Sequence, residues 1–374
     1  MWKKPEFSKR QINNAGLTII NPNVTLDEYI AALDIVDNWR AAHAYPMNTF
    51  AVNLKRQVSD IDGAMVVQRL KRLDTICYKL VRYPEMNLYR MQDLGGCRVI
   101  VPTVDDVYKV KTRLENSRIR HIPKTPKNYI ETPKPDTGYR GVHLIYKYKS
   151  EKNTDYNGLL VEIQIRTKLQ HLWATAVETV GVFTDNGLKF NQGSEDWLLF
   201  FKLVSALFSI EEGTPIVEGV PTDLRELLEL LRSVEQKLNA IEKIHTIGVV
   251  TDSVGHVTKR QHKGYYLLIL DLDQWKIQVK TFDGIEKGLD DATNAYNEFE
   301  KNKGSKKQDA VLVSAESYET LVDAYPNYFA NIHEFSMKYY EILDKQYDIL
   351  IAQAKERAAK IRHAIDALKA TSGG

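Results

Sequence analysis

The stretch Leu160-Val161-Glu162-Ile163-Gln164-Ile165-Arg166-Thr167 alternates strictly. Val161, Ile163 and Ile165 fall on one face, and Glu162, Gln164 and Arg166 on the other. This is the two-residue period of a β-strand with one side in a core. The polar side carries a carboxylate at its middle. Working outward, Val142-His143-Leu144-Ile145-Tyr146-Lys147-Tyr148 also alternates and reads as a neighbouring strand. Residues 168–180, KLQHLWATAVETV, follow with helical spacing. Upstream, Cys97-Arg98-Val99-Ile100-Val101-Pro102 is a short apolar run after two glycines and reads as a buried strand, and residues 106–117 read as an amphipathic helix. The series strand, helix, strand, strand, helix predicts a mixed α/β (α+β) domain with helices flanking a mixed sheet and a cleft on the polar sheet face.

The flanks are helical. Residues 1–24 are polar, broken by Pro5 and Pro22, and read as an arm. A helix starts at Thr25, a second runs past Pro46 through Phe50 and Leu54 to Val58, and a third is expected from about Ala64 to Val81. After about 190 an apolar helix and a leucine-spaced helix (223–244) follow. Two strands from 264, a helix, a further strand at 309–315 and a helical tail complete the chain. The expected organisation is a core at 1–185, a helical connector at 186–263 and a small α/β module with a helical tail at 264–374.

Composition excludes several classes. The 374 residues are 43% hydrophobic and 27% charged, near the globular average. Two cysteines, Cys77 and Cys97, are too few for a disulfide framework. No apolar run approaches membrane-spanning length, and no apolar segment follows the basic N-terminus, so a cytoplasmic protein is expected. The net charge of +2 is a cancellation. Residues 109–140 hold nine Lys and Arg against three acids, and residues 193–236 hold nine acids against three Lys and Arg.

Four segments carry chemistry. Asp93 precedes a buried strand, in Arg90-Met91-Gln92-Asp93-Leu94-Gly95-Gly96-Cys97-Arg98. Tyr139 lies in the loop Lys134-Pro135-Asp136-Thr137-Gly138-Tyr139-Arg140-Gly141-Val142-His143. Glu162 sits on the alternating strand. Arg69, Lys71 and Arg72 precede Lys79 on the expected third helix. Singly, these are turn, cap and surface residues. Together they are an inventory for phosphoryl transfer: two carboxylates for Mg²⁺, cations for a triphosphate and an aromatic for a base.

In this order and spacing the segments resemble the synthetase domain of the RelA/SpoT homologue superfamily, over residues 45–182. The resemblance implies a nucleotidyltransferase-like fold and transfer of the β,γ-pyrophosphate of ATP to a ribose 3′-hydroxyl. It implies that Asp93 and Glu162 bind Mg²⁺, with Glu162 also a candidate general base. Arg69, Lys71 and Lys79 match ATP-binding positions. Tyr139 matches the residue that stacks on the acceptor base, with His143 four residues on and Lys134 an approximate match. Arg98 and Gln164 are expected to support these groups or the fold.

The acceptor loop departs from the family pattern: Thr137 replaces an asparagine and the loop is one residue longer, which points away from a guanosine nucleotide. The chain resembles toxic small members, including the fused toxin–antitoxin phage-defence proteins known as CapRel. That likeness implies pyrophosphorylation of the 3′ CCA end of tRNA. The C-terminal module would be a zinc-finger-like fold without metal ligands, self-inhibiting through Tyr325 and Tyr328 at the ATP site. A phage protein, the major capsid protein, would release it, and a monomer without membrane association is expected. The alternative is a (p)ppGpp synthetase acting on GTP or GDP with an oligomerising tail. A non-catalytic protein on a decayed fold is a third class, opposed by the intact Asp93, Glu162 and Tyr139.

Overall fold

The computed structural model describes residues 2–117, 119–185, 194–244, 264–271, 276–283, 286–302, 308–315 and 333–372. Three helices open it: α1 (Lys9–Thr18), α2 (Leu26–Ala42) and α3 (Ala44–Gln57). The expected N-terminal arm is therefore partly helical. Ser8 and Gln11 form a reciprocal capping box that starts α1, as Thr25 and Glu28 do for α2. Ile12 and Ala15 give α1 a buried face. Pro46 does not break α3, because it stands in the first turn, where no intrahelical N–H bond is lost.

The largest departure from expectation lies at 64–81. Instead of one helix, the chain forms strand β1 (Met65–Leu70), a turn at Lys71 and Arg72, and helix α4 (Leu73–Arg82). Val66 and Val67 are β-branched and buried, and strands pair with β1 on both sides. Strand β2 (Gly95–Val101) and helix α5 (Val104–Glu115) follow, then the two-residue strands β3 (Ile122–Pro123) and β4 (Lys127–Asn128). Strands β5 (Val142–Lys147) and β6 (Leu160–Thr167) and helix α6 (Lys168–Asp185) complete the expected α/β series.

Helices α7 (Ser194–Glu211) and α8 (Leu224–Leu238) lie in the segment expected as a connector. Beyond it come β7 (Gly264–Asp271), β8 (Lys276–Asp283), α9 (Glu286–Asn302), β9 (Gln308–Ala315) and the 40-residue helix α10 (His333–Ser372). The sheet order is β3-β5-β6-β2-β1-β9-β7-β8, with β4 also on β5. Among the described residues only the β2–β6 pair is parallel. The C-terminal strands thus continue the sheet: β9 pairs with β1 at Gln68↔Ser314 and Arg69↔Val313.

Two apolar clusters hold the fold. One joins α1–α3 and the apolar sheet face to Tyr265, Leu267, Tyr296 and Leu312 of the C-terminal strands and α9. The other joins α6, α7 and α8 to Phe335, Tyr339 and Ile342 of α10. Among the described residues no helix is long and apolar enough to cross a membrane.

Candidate active site

Sheet register assembles the site. Arg69 on β1 faces Gly96 on β2, and Gly96 faces Glu162 on β6. One row further, Arg98 faces Gln164, and Gln164 faces His143 on β5. Partners in register share a face, so strand pairing alone gathers these polar side chains on one side. Arg69, Lys71, Asp93, Arg98, Glu162 and Gln164 line one cleft of about 130 Å³.

At one end of the cleft, Asp93 is clamped by Lys71 and Lys79. Lys71 Nζ donates to Oδ2 at 2.8 Å, and Lys79 Nζ to Oδ1 at 3.0 Å. Burial works against the Asp93 carboxylate, but the two ammonium groups outweigh it and hold the carboxyl below its usual range. Burial pushes Lys71 down from the usual lysine range, with Asp93 opposing. Arg69, Lys71 and Lys79 do not share a helix as expected: they come from β1, the following turn and α4.

Sequence reasoning missed Glu178. It reaches in from α6, with Oε1 3.0 Å from Arg72 Nη2 and 3.6 Å from Arg69 Nη1. Burial would raise its pKa, yet the surrounding guanidinium groups bring it down to about 2. The available signal was a lone carboxylate within the apolar run of α6.

At the other end of the cleft three predicted residues form a chain. Tyr139 Oη lies 2.7 Å from His143 Nε2, and His143 Nδ1 lies 2.9 Å from Glu162 Oε1. With Glu162 ionised, the consistent assignment has Tyr139 O–H donating to Nε2 and Nδ1–H donating to the carboxylate. Gln164 Nε2 donates to Glu162 Oε2 at 2.8 Å. Burial raises the Glu162 pKa, but the His143 and Gln164 bonds win and hold it below the usual carboxylate range. Lys134 lies 5.3 Å from the Tyr139 ring centroid and 4.8 Å from that of Tyr129, so the structure brings Lys134 and Tyr139 together.

The acceptor loop is anchored by the connector, which the sequence did not reveal. Gly138 has φ +79°, and a Cβ there would stand 2.9 Å from Ser205 Cβ of α7. Ser205 Oγ donates to the Gly138 carbonyl at 2.5 Å. Arg140, 3% exposed, donates to Ser205 Oγ, Thr214 Oγ1 and the Pro215 carbonyl. Arg140 is therefore an anchor and not a surface cation.

Two carboxylates facing a cationic cleft suit Mg²⁺, which takes one or two carboxylates with substrate phosphates. Among the described residues no group of three or more His, Cys, Asp or Glu makes a dedicated metal cage. The donor set fits. Asp93 would hold the ion once Lys71 and Lys79 turned to a triphosphate, and Glu162 would be the second ligand.

The charge segments prove more internally satisfied than the sequence implied. Lys109 and Arg113 both bind Asp60, Lys111 binds Glu115, and Arg120 binds Glu151. Arg118 lies outside the described residues. In the acidic segment, Asp196 takes Lys237, Glu211 takes Lys345 of α10, and Glu212 accepts from Gln170. Tyr325 and Tyr328 also lie outside the described residues. What reaches the donor turn is α9: Tyr296 Oη accepts from Leu73 N at 3.3 Å.

These features define a cleft on a mixed α/β sheet, lined by two carboxylates and several cations. Residues 68–181 match the family profile described as a region found in RelA / SpoT proteins. An uncharacterized protein of Mycobacterium bovis is 26% identical over 199 residues, 52% of this chain and 66% of that protein. GTP pyrophosphokinase YwaC of Bacillus subtilis is 35% identical over 112 residues, 29% of this chain and 52% of its own. The chain thus spans just under two thirds of the first relative and about half of the second. The solved small alarmone synthetase 1 of B. subtilis, bound to its product pppGpp, aligns at 26% identity over 44% of this chain and 86% of that one, with a TM-score of 0.36. The profile match and the sequence relatives support the RelA/SpoT superfamily for this region.

If Tyr139 stacks on the acceptor base, Tyr139→Ala raises the acceptor KM by roughly 5- to 150-fold, the worth of one base–aromatic stack. Tyr139→Phe keeps the ring and loses only the bond to His143, so its KM stays close to that of the parent. Steady-state kinetics on both variants checks this. Equal KM values for Ala and Phe would remove the stacking role.

Proposed function

We propose that the protein is an ATP-dependent pyrophosphokinase that transfers the β,γ-pyrophosphate of ATP to a nucleotide 3′-hydroxyl. The observation that carries this is one cleft lined by Arg69, Lys71, Asp93 and Glu162, with Lys79 on Asp93 and the Tyr139–His143–Glu162 chain entering from the other side. Arg69, Lys71 and Lys79 would take the triphosphate, with the ring of Tyr139 holding the acceptor base. Mg²⁺ would supply charge neutralisation between the phosphates. Glu162, kept ionised, would accept the proton of the attacking hydroxyl.

Two acceptors are carried forward. The 3′ CCA end of tRNA is the first, on the altered loop at Thr137 and the basic composition of 109–140. GTP or GDP is the second, favoured by a specific observation: Lys109, Lys111, Arg113 and Arg120 are paired with acids, and a phosphate backbone needs cations free to exchange counterions. Labelled ATP offered with tRNA, GTP or GDP separates the two by where the label lands. Glu162→Gln abolishes labelling of whichever acceptor is used. Full transfer by that variant would end the enzymatic reading.

We also propose that the C-terminal half restrains the donor site. The support is β9 on β1 at Arg69 and Tyr296 on Leu73 N. Release by a phage major capsid protein and occlusion by Tyr325 and Tyr328 rest on the CapRel resemblance alone. Purified capsid protein added to the labelling assay tests the trigger, and an unchanged rate would discard it.

A further inference from the structure

Helix α4 leaves large side chains in solvent beside the cleft. Tyr78, Val81 and Tyr83 are 61%, 63% and 47% exposed. Single exposed apolar side chains are ordinary, but a contiguous group next to a site points to a partner. Arg82 braces the two rings. Its Nη1 donates to Tyr78 Oη at 3.0 Å, and its guanidinium lies 5.9 Å from the Tyr78 centroid and 5.6 Å from that of Tyr83. Two aromatic faces are thus held at the surface around one cation.

The patch begins where the cleft ends. Lys79 reaches Asp93 from α4. Arg82 and Tyr83 follow it at three and four positions, one turn further along the same side of the helix. The loop 134–139 faces this turn: Arg82 lies in the field of Asp136, and Lys134 in those of Lys79 and Lys127. Lys127 stands opposite His143 in register, and so shares the site face of the sheet. Lys134 sits by the rings of Tyr129 and Tyr139, and Tyr129 packs edge-on against Tyr139 at 5.8 Å.

Charge and ring chemistry select the occupant. Lys109, Lys111, Arg113 and Arg120 are paired with acids, but Arg82, Lys127 and Lys134 make no ion pair among the described residues. Such cations are free to exchange counterions with a phosphate backbone. Rings along the same path offer π-faces to successive bases, which is how sequence-tolerant single-strand sites are built. A duplex hides its base faces, and an acidic peptide would answer the cations but not the rings. We propose that α4 and the cleft mouth form a track for the single-stranded 3′ end of an RNA. Tyr78 and Tyr83 stack on bases that precede the nucleotide held at Tyr139, while Lys127 and Lys134 take the phosphates between.

The track rests on the reading in which the acceptor is the 3′ end of an RNA. A free nucleotide fills the place at Tyr139 and has no further base to lay on α4. The cations that matter are then those at the cleft mouth, and not the paired strip around Asp60, Glu115 and Glu151.

The test is fluorescence anisotropy of the full chain with a labelled RNA hairpin carrying a single-stranded ACCA 3′ overhang, against the same hairpin made blunt, at fixed salt and without ATP. The overhang is expected to tighten binding. Tyr78→Ala and Tyr83→Ala are each expected to weaken binding of the overhang hairpin roughly 5- to 150-fold, the worth of one base stack, and Tyr83→Phe, which keeps the ring, to restore it. Lys127→Ala is expected to lower the salt slope by about one. Equal binding of the two hairpins, or binding unchanged in both alanine variants, overturns the proposal. The transfer assay with labelled ATP separates this failure from that of the acceptor reading. Label on the RNA with its KM unchanged in both alanine variants overturns the track and leaves the RNA acceptor standing. Label on GTP or GDP alone ends the RNA acceptor, and the track with it.

Discussion

Asp93→Asn is expected to lower pyrophosphate transfer by about 10²–10³-fold, the range for removing one preorganised charged group from an active site. The structure makes a second, opposite effect the sharper test. In the free protein Asp93 holds both lysines that a triphosphate would need, at 2.8 Å from Lys71 and 3.0 Å from Lys79. Nucleotide must therefore displace an internal carboxylate. Asn keeps the shape of Asp but no longer competes as a charge. Without divalent metal, the variant is expected to bind an ATP analogue at least as tightly as the parent, while its transfer rate collapses. Titration in the presence of a chelator and initial-rate measurements with labelled ATP read the two effects. Loss of nucleotide binding together with activity would make Asp93 a structural partner of the lysines and not a group that acts in transfer.

Much of this site could be read from the chain, and the reasons for the gaps are physical. Strand β6 was legible because its alternation is local and Val161, Ile163 and Ile165 make one face apolar. Once β6 is placed, register does the rest: Glu162 opposite Gly96, Gln164 opposite Arg98 and His143. Strand β1 was not legible. Its apolar residues, with those of α4, mimic a helical period, and what makes it a strand is pairing with β2 and with β9, some 245 positions away. Helix α1 was legible in principle, since Ser8 and Gln11 spell a capping box, but the prolines around it drew the reading toward an arm. The anchoring of the acceptor loop by Ser205 and Thr214 left no local mark, because those residues face the loop only through tertiary packing. The cationic strip shows the converse hazard. Composition counts charges and not partners, and Asp60 alone takes Lys109 and Arg113.

The same non-local pairing governs what removal of the C-terminal half would do. A chain ending at residue 263 would lose β9 from the edge of β1, and with it Leu267, Tyr296 and Leu312 from the first apolar cluster. It would also lose Phe335, Tyr339 and Ile342, which are 0%, 1% and 3% exposed, from among the side chains of α6, α7 and α8. At ~1.5–3 kcal/mol for each large apolar side chain, the last three alone represent roughly 5–9 kcal/mol, comparable with the whole stability of an ordinary domain. The truncated protein is therefore expected to aggregate or to melt at least about 10 °C lower. A toxicity change on such a truncation would report folding before it reported inhibition. A cut after residue 351 is the contrast, since residues 351–365 of α10 are exposed throughout. That chain should melt within ~2 °C of the parent, because exposed positions rarely contribute more than about 0.5 kcal/mol. Thermal melts of the two truncations decide the matter. Equal melting temperatures would mean that the C-terminal half is attached without supporting the core, and the restraint of the donor turn through β9 and Tyr296 would go with it.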